Sequence, residues 1–173
     1  FTGDSGLKVD GDLAINAPLI TAGQATTSSL LATGRLAVSG GDPAASVPTA
    51  AGLGARLTMS AADIDFGGRI VLPSGTVRLV QTGDPATPVQ GNNLRVAGNA
   101  AIDVAGDTLV FGPKQVGTPG GTVSLEAETG TLELAAGAVL DVSGAADAEA
   151  GTLELRAAQA AVSFAPGLPF FFF

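Results

Sequence analysis

The sequence predicts an all-β fold of the parallel solenoid type, about five to six coils of three short strands with loops extruded from the corners. Three observations predict it. An apolar-x-apolar unit recurs from one end of the 173-residue chain to the other. Glycine interrupts nearly every stretch of ten residues, so no sustained helical periodicity develops. The tightest run of units starts at Leu57, Ile64, Ile70 and Val77, which places three strands in 20 residues. Alternation at period two sends the outer pair of each unit into a core and the middle residue to solvent. Three such strands joined by tight bends close one coil, and successive coils pair along an axis at ~4.8 Å.

Taken in order, the units begin with Leu7-x-Val9, Leu13-x-Ile15, Leu36-x-Val38, Leu57-x-Met59, Ile64-x-Phe66, Ile70-x-Leu72 and Val77-x-Leu79. They continue with Leu94-x-Val96, Ile102-x-Val104, Leu109-x-Phe111, Val123-x-Leu125, Leu132-x-Leu134, Leu140-x-Val142, Leu153-x-Leu155 and Val162-x-Phe164. These are 15 clear units, and Leu19-Ile20 and Leu30-Leu31 are weaker members. At three to a coil they make a rod about 25 to 30 Å long. Residues 120–144 read as one full coil with short corners, their three units spaced nine and eight residues apart.

Longer intervals at 40–54, 81–93, 112–121 and 143–151 are rich in turn residues and cannot continue a ladder, so they are read as extruded loops. An antiparallel sandwich is the rival fold. It would need longer strands joined by two-residue hairpin turns such as Asn-Gly. The chain is read as a single β-helical segment, 1–173, of a longer secreted protein. The shaft covers about 7–165, and 166–173 stand apart as a tail in which half the phenylalanines are concentrated, at Phe170–Phe173. The start at Phe1, with no initiator methionine before it, is read as that of an excised or processed piece.

Composition narrows the function. Among 25 glycines and ten prolines there is no Cys, His, Trp or Tyr. Without cysteine there are no disulfides, no thiolate chemistry and none of the usual zinc sites. A net charge of −8 with eight dispersed basic residues argues against nucleic-acid binding. No stretch reaches the ~18 apolar residues of a membrane-spanning helix.

The middle residue of several units is acidic: Asp65, Asp103, Asp141, Glu133 and Glu154. Acids stacked on adjacent coils would stand ~5 Å apart and raise one another's pKa unless a cation or basic residue intervened. That geometry resembles the carboxylate clusters of β-helical polysaccharide lyases and hydrolases. Such enzymes also need a base, or aromatic residues that stack on sugars. Here the only lysines are Lys8 and Lys114, and Arg78 and Arg95 are better placed to balance acids than to abstract protons. The Gly-Gly-x-Gly-x-Asp repeat of calcium rolls is missing, and Gly11-Asp12, Gly83-Asp84 and Gly106-Asp107 read as turns. Phosphate-binding loops and nucleophile elbows are missing too. The sequence therefore assigns no catalytic, cofactor-binding or metal-ligating residue, and no cofactor.

Gly120-Gly121-Thr122-Val123-Ser124-Leu125, the phrase Leu134-Ala135-Ala136-Gly137-Ala138-Val139-Leu140-Asp141-Val142-Ser143-Gly144 and Gly151-Thr152-Leu153-Glu154-Leu155 carry a resemblance. So do Gly11-Asp12-Leu13-Ala14-Ile15-Asn16-Ala17-Pro18 and Ile70-Val71-Leu72-Pro73-Ser74-Gly75-Thr76-Val77. Together they resemble the repetitive body of the filamentous haemagglutinin family, the large exoproteins of bacterial two-partner secretion. The resemblance implies a right-handed parallel β-helical shaft, exported through an outer-membrane secretion partner to the bacterial surface or medium. It further implies a part in adhesion, aggregation or biofilm formation through host or bacterial receptors or glycans. The Asn-Pro-Asn-Leu and Asn-Pro-x-Gly secretion motifs are missing, which fits shaft over secretion domain. The alternatives are a stretch of an extracellular filament with end-to-end self-association, and a β-helical lyase or hydrolase.

Overall fold

The computed structural model describes residues 4–47, 52–83, 92–158, 161–165 and 170–171. It contains strands and no helix among these residues, and the strands build three stacked parallel sheets that the chain visits in turn. The first circuit is β1 (Ser5–Val9), β2 (Leu13–Asn16) and the single bridging residue Ile20. The second is β3 (Thr27–Ala32) and β4 (Arg35–Ser39). The third is β5 (Arg56–Ala61), β6 (Asp63–Phe66) and β7 (Arg69–Val71). The fourth is β8 (Thr76–Gln81), β9 (Leu94–Val96) and β10 (Ala101–Asp103). A hairpin, β11 (Thr108–Phe111) and β12 (Lys114–Gly117), interrupts the series. The fifth circuit is β13 (Thr122–Ala127), β14 (Leu132–Leu134) and β15 (Val139–Asp141). The sixth is β16 (Thr152–Ala157), β17 (Val162–Phe164) and β18 (Phe170–Phe171).

The first sheet runs β1-β3-β5-β8-β13-β16, the second β2-β4-β6-β9-β14-β17, and the third β7-β10-β15-β18 with Ile20 bridged to Ile70. Register fixes the circuit lengths. Leu7, Leu30, Met59, Leu79, Leu125 and Leu155 are successive partners, so the circuits take 23, 29, 20, 46 and 30 residues. The 20-residue spacing read from Leu57 to Val77 is thus the bare circuit, and the longer ones carry the excursions. From the first strand to the last the stack measures about 24 Å.

Side chains from all three sheets meet in one core. Leu36, Ile64, Leu94 and Leu132 form one inward column of the second sheet, and Val38, Phe66, Val96 and Leu134 form the next. All are buried. Fully burying each large aliphatic or aromatic side chain contributes about 1.5–3 kcal/mol before the entropy of ordering is subtracted. Burial fades toward both ends of a column. Leu7 is 46% exposed, its partners Leu30 to Leu125 are at most 3% exposed, and Leu155 is again only half buried.

Three expectations need correcting. Leu109-x-Phe111 is no rung of the stack: β11 pairs antiparallel with β12, and Val110 and Phe111 are 65% and 62% exposed. The loop expected at 112–121 accordingly begins earlier, just after β10. Gly112, in the left-handed region at φ 60°, supplies the first central position of its two-residue turn. Second, Leu30-Leu31 is a full member of the series. Its inward residues are Ser28, Leu30 and Ala32, and the small, polar neighbours hid the alternation.

Third, among the described residues the second circuit has two strands and not three. Its chain leaves after β4 and returns at Gly52, whose N–H donates to Ala22 O at 2.7 Å. In the third sheet Ile20 therefore meets β7 directly, through Ile20 N–H to Arg69 O and Val71 N–H to Ile20 O. Arg69 holds the excursion down by donating from Nη1 to Ala45 O (2.8 Å) and Asp42 O (3.2 Å). Of the tail set apart at 166–173, Phe170 and Phe171 are described, and they pair with Leu140 and Asp141 in this sheet. Most of the 81–93 loop, including Asp84, lies outside the described residues, as do Phe172 and Phe173.

Candidate functional site

The acidic middle residues fall into two groups with different surroundings. On the second sheet, Asp65, Arg95, Glu133 and Ser163 are successive outward partners. Arg35 reaches across from the neighbouring column to Asp65 Oδ2 (2.8 Å) and Asp63 Oδ2 (3.3 Å). Arg95 stands between Asp65 (3.5 Å) and Glu133 (3.6 Å). The result is a chain of alternating charge over four circuits. Its members are a quarter to a half exposed, so each link contributes a few tenths of a kcal/mol at most.

On the first sheet Arg78 grips Glu126 with two parallel bonds, Nε to Oε1 and Nη2 to Oε2, both 2.8 Å. The pair is diagonal: Arg78 opposes Ser124, and Glu126 lies one outward position further along the next circuit. Ser124 Oγ adds a bond to Glu126 Oε1 at 2.9 Å. The Arg78 hydrogen bonds hold the Glu126 carboxyl below the usual glutamate range, against partial desolvation, and the Arg78 guanidinium is shifted up in turn. Both arginines balance acids as the sequence suggested. Glu154 continues the column beyond Ser124.

Asp103 and Asp141 are the only two of the five middle acids that stack on one another. Neither projects a free carboxylate into a groove. Asp103 Oδ1 accepts the Ala105 N–H (3.0 Å), and Asp141 Oδ1 accepts both the N–H (2.9 Å) and the hydroxyl (2.7 Å) of Ser143. They close the corner between the third and first sheets. Burial pushes the Asp103 carboxyl up, the Ala105 bond opposes that, and the Asp141 charge adds to it while Arg69 subtracts. The mutual repulsion expected of stacked acids is thus present but secondary to desolvation.

The sign of each shift sets a pH response. Asp103 holds its proton more tightly when folded, so it weakens the fold above its folded pKa and the loss vanishes below the unfolded value of ~3.9. Glu126 does the opposite: its contribution is complete above the unfolded glutamate value of ~4.3 and is lost as pH falls through its depressed folded pKa. Asp103→Asn keeps the acceptor for Ala105 and removes the charge. It should raise the melting midpoint at neutral pH and match the parent near pH 3 and below. Asp103→Ala should be less stable than Asp103→Asn at every pH. A neutral-pH midpoint for Asp103→Asn at or below the parent's would refute the burial cost.

Two features went unread in the sequence. One is Gln81, buried at 0% exposure in an inward column that otherwise holds Val9, Ala32, Ala61, Ala127 and Ala157. The other is the hairpin. Its base is fastened by Thr118 N–H to Asp107 O (2.9 Å), Asp107 N–H to Thr118 Oγ1 (2.8 Å) and a 2.6 Å hydroxyl contact between Thr118 and Ser74. Ala145 N–H adds a bond to Thr118 O (3.1 Å), so the neighbouring 143–151 excursion braces it. The register puts Leu109, Phe111, Val116 and Lys114 on one face of the hairpin. Turn and pairing thus present an apolar face on a firm root.

Lys8 faces solvent at the first circuit and Lys114 at the hairpin. No group of three or more metal-ligating side chains forms among the described residues. No protein-family model, no curated protein and no solved structure matches this chain.

Proposed function

We propose that the circuits form a right-handed parallel β-helix and that the chain is a non-enzymatic shaft segment of a secreted bacterial surface exoprotein of the filamentous haemagglutinin type. One observation carries this reading: the acids and arginines that would build a catalytic cluster are engaged with each other and with corner N–H groups along a ladder of six parallel strands. A ladder whose charged groups knit one circuit to the next suits a spacer. The repeat phrases around Val123, Leu140 and Leu153 add the resemblance to haemagglutinin shafts. Contact with receptors or glycans on host or bacterial cells falls to the excursions, because change there leaves the ladder intact. The hairpin is the best-equipped of them, with Val110 and Phe111 exposed on a firm root.

Beads coated with the purified chain should capture bacterial or epithelial cells. Val110→Ser with Phe111→Ser should cut that capture at least fivefold without moving the melting midpoint. Capture equal to that of uncoated beads would refute an adhesive role for this segment. Release of unsaturated or reducing ends from uronate polymers, abolished by Asp103→Ala or Asp141→Ala, would replace it with a polysaccharide-cleaving one.

A further inference from the structure

The apolar residues of the hairpin are divided between both of its faces. Leu109 stands opposite Val116 and Phe111 opposite Lys114 on one face, and Val110 stands opposite Gln115 on the other. Val110 and Phe111 are more exposed than any other large apolar side chain among the described residues. A protein groove covers one face of a two-stranded ribbon and leaves the other in water. A ribbon end that is apolar on both faces suits a medium that closes round it.

Charge is sorted along the same direction. From Thr108 to Gly117 the one charged residue is Lys114, exposed at the tip, in a chain whose net charge is −8. Acids stand at the root instead. Asp107 lies just before β11, its Oδ1 accepting the Thr108 N–H at 2.7 Å. Asp147 and Glu149 belong to the excursion that meets the hairpin at Gly117 and Thr118. Three residue steps separate the root pair Thr108–Gly117 from the tip pair Phe111–Lys114, about 10 Å of extended chain.

These features match the interface of a phospholipid bilayer. Amphipathic elements seat there about 5–10 Å deep, which is the reach of this hairpin. Val110 and Phe111 would enter the acyl boundary, with the Lys114 stem beside them and its ammonium on lipid phosphate. Pro113 brings no N–H to desolvate in the turn. The outer edges of β11 and β12 have no strand partner, so their backbone groups must keep water or headgroups within reach. The hairpin can therefore dip into a bilayer but not span it. The acids at its root favour a zwitterionic surface over a strongly anionic one, which would repel them.

We propose that the β11–β12 hairpin is a lipid-docking finger, whose Val110–Pro113 end inserts into the surface of a zwitterionic phospholipid bilayer. This deepens the adhesive reading by naming the hairpin's partner, and it rests on that reading for its purpose. Thr118 is tied to Asp107, Ser74 and Ala145, so the finger enters without rearranging the stack behind it.

The chain has no tryptophan or tyrosine, so Phe111→Trp places a single indole at the tip. Phosphatidylcholine vesicles added to the full chain should shift its emission to the blue, and lipids brominated on the acyl chain should quench it at least twofold. Lys8→Trp, on the first circuit, should show neither effect. In flotation of the full chain with the same vesicles, Val110→Ser with Phe111→Ser should cut the bound fraction at least fivefold, and Lys114→Glu at least twofold. The melting midpoints should not move. Absence of both blue shift and flotation overturns the proposal, and so does flotation indifferent to the serine pair or an equal shift at Lys8→Trp. Cell capture that persists without vesicle binding, and is lost when the cells are treated with protease, assigns the hairpin to a protein receptor and leaves the adhesive reading standing. Vesicle binding without cell capture refutes that reading and leaves the finger in place.

Discussion

Gln81→Leu is expected to be among the most damaging single substitutions in the molecule, costing about 4 kcal/mol. The reason lies in where the chain departs. The third and fifth circuits turn tightly from the first sheet to the second, at Ala62 and at Thr129-Gly130. The fourth circuit leaves on its long excursion just after β8. The Gln81 side chain lies between those two turns. Its Nε2 donates to Ala62 O (2.9 Å) and Thr129 Oγ1 (2.8 Å), and its Oε1 accepts the N–H groups of Thr129 (3.2 Å) and Gly130 (3.0 Å). One amide thus bonds the turn above and the turn below. Leucine fills similar space and leaves those groups without partners, which is the costly case. Gln81→Glu separates the effects: a carboxylate still accepts from Thr129 and Gly130 but faces the Ala62 carbonyl without a proton to give. Its stability should therefore recover as pH falls and the carboxyl protonates. Chemical denaturation of both variants at neutral and acid pH checks this, and a Gln81→Leu loss below about 1 kcal/mol would refute the clamp.

Much of the architecture was legible because the inward residues of most strands are large and the outward ones polar. Val77-x-Leu79, Ile64-x-Phe66 and Leu132-x-Leu134 show this, and the circuit read over 120–144 is the fifth circuit as found. Legibility failed where size and polarity parted company. Ser28 is buried against the Ser5 hydroxyl at 3.2 Å, so β3 read as weak. Leu109-x-Phe111 has the right alternation but belongs to a hairpin, which the two-residue Gly112-Pro113 link to Lys114 could have signalled.

The site residues divide in the same way. That Arg78 and Arg95 balance acids followed from charge and alternation alone. That Asp103 and Asp141 cap corners did not, because their acceptor role depends on how the chain bends after them. Gln81 was hidden for a subtler reason. Only when Gly75 to Gln81 is aligned with Gly121 to Ala127 and Gly151 to Ala157 does it stand out as glutamine in an alanine column. The alignment was available in the sequence, but its meaning required knowing that the turns at Ala62 and Thr129-Gly130 lie on either side of this side chain.

The same alignment explains the glycines that begin these strands and supports the second large expected effect. Gly75, Gly121 and Gly151 lie one above another just before β8, β13 and β16. The Gly75 carbonyl accepts the Thr122 N–H at 2.8 Å, and the Gly121 carbonyl accepts the Thr152 N–H at 2.9 Å. A methyl group on Gly121 would overlap the Gly75 carbonyl oxygen, and one on Gly151 would overlap the Gly121 oxygen. These atoms are backbone, so no side chain can swing aside. Gly121→Ala must therefore pry β13 from β8 at its first bond, at a cost of about 3 kcal/mol. Gly112→Ala meets nothing within 4 Å and bears only the left-handed strain of the hairpin turn, about 1–2 kcal/mol. Because a stacked array is stabilised by each circuit and by its contacts with neighbours, the damage from Gly121→Ala should concentrate between the fourth and fifth circuits. Melting should then broaden or split into two steps, and amide exchange should quicken in β8 and β13 before it does in β3 and β5. A single sharp transition at the parental midpoint would show that these two strands are not stacked as closely as their register demands.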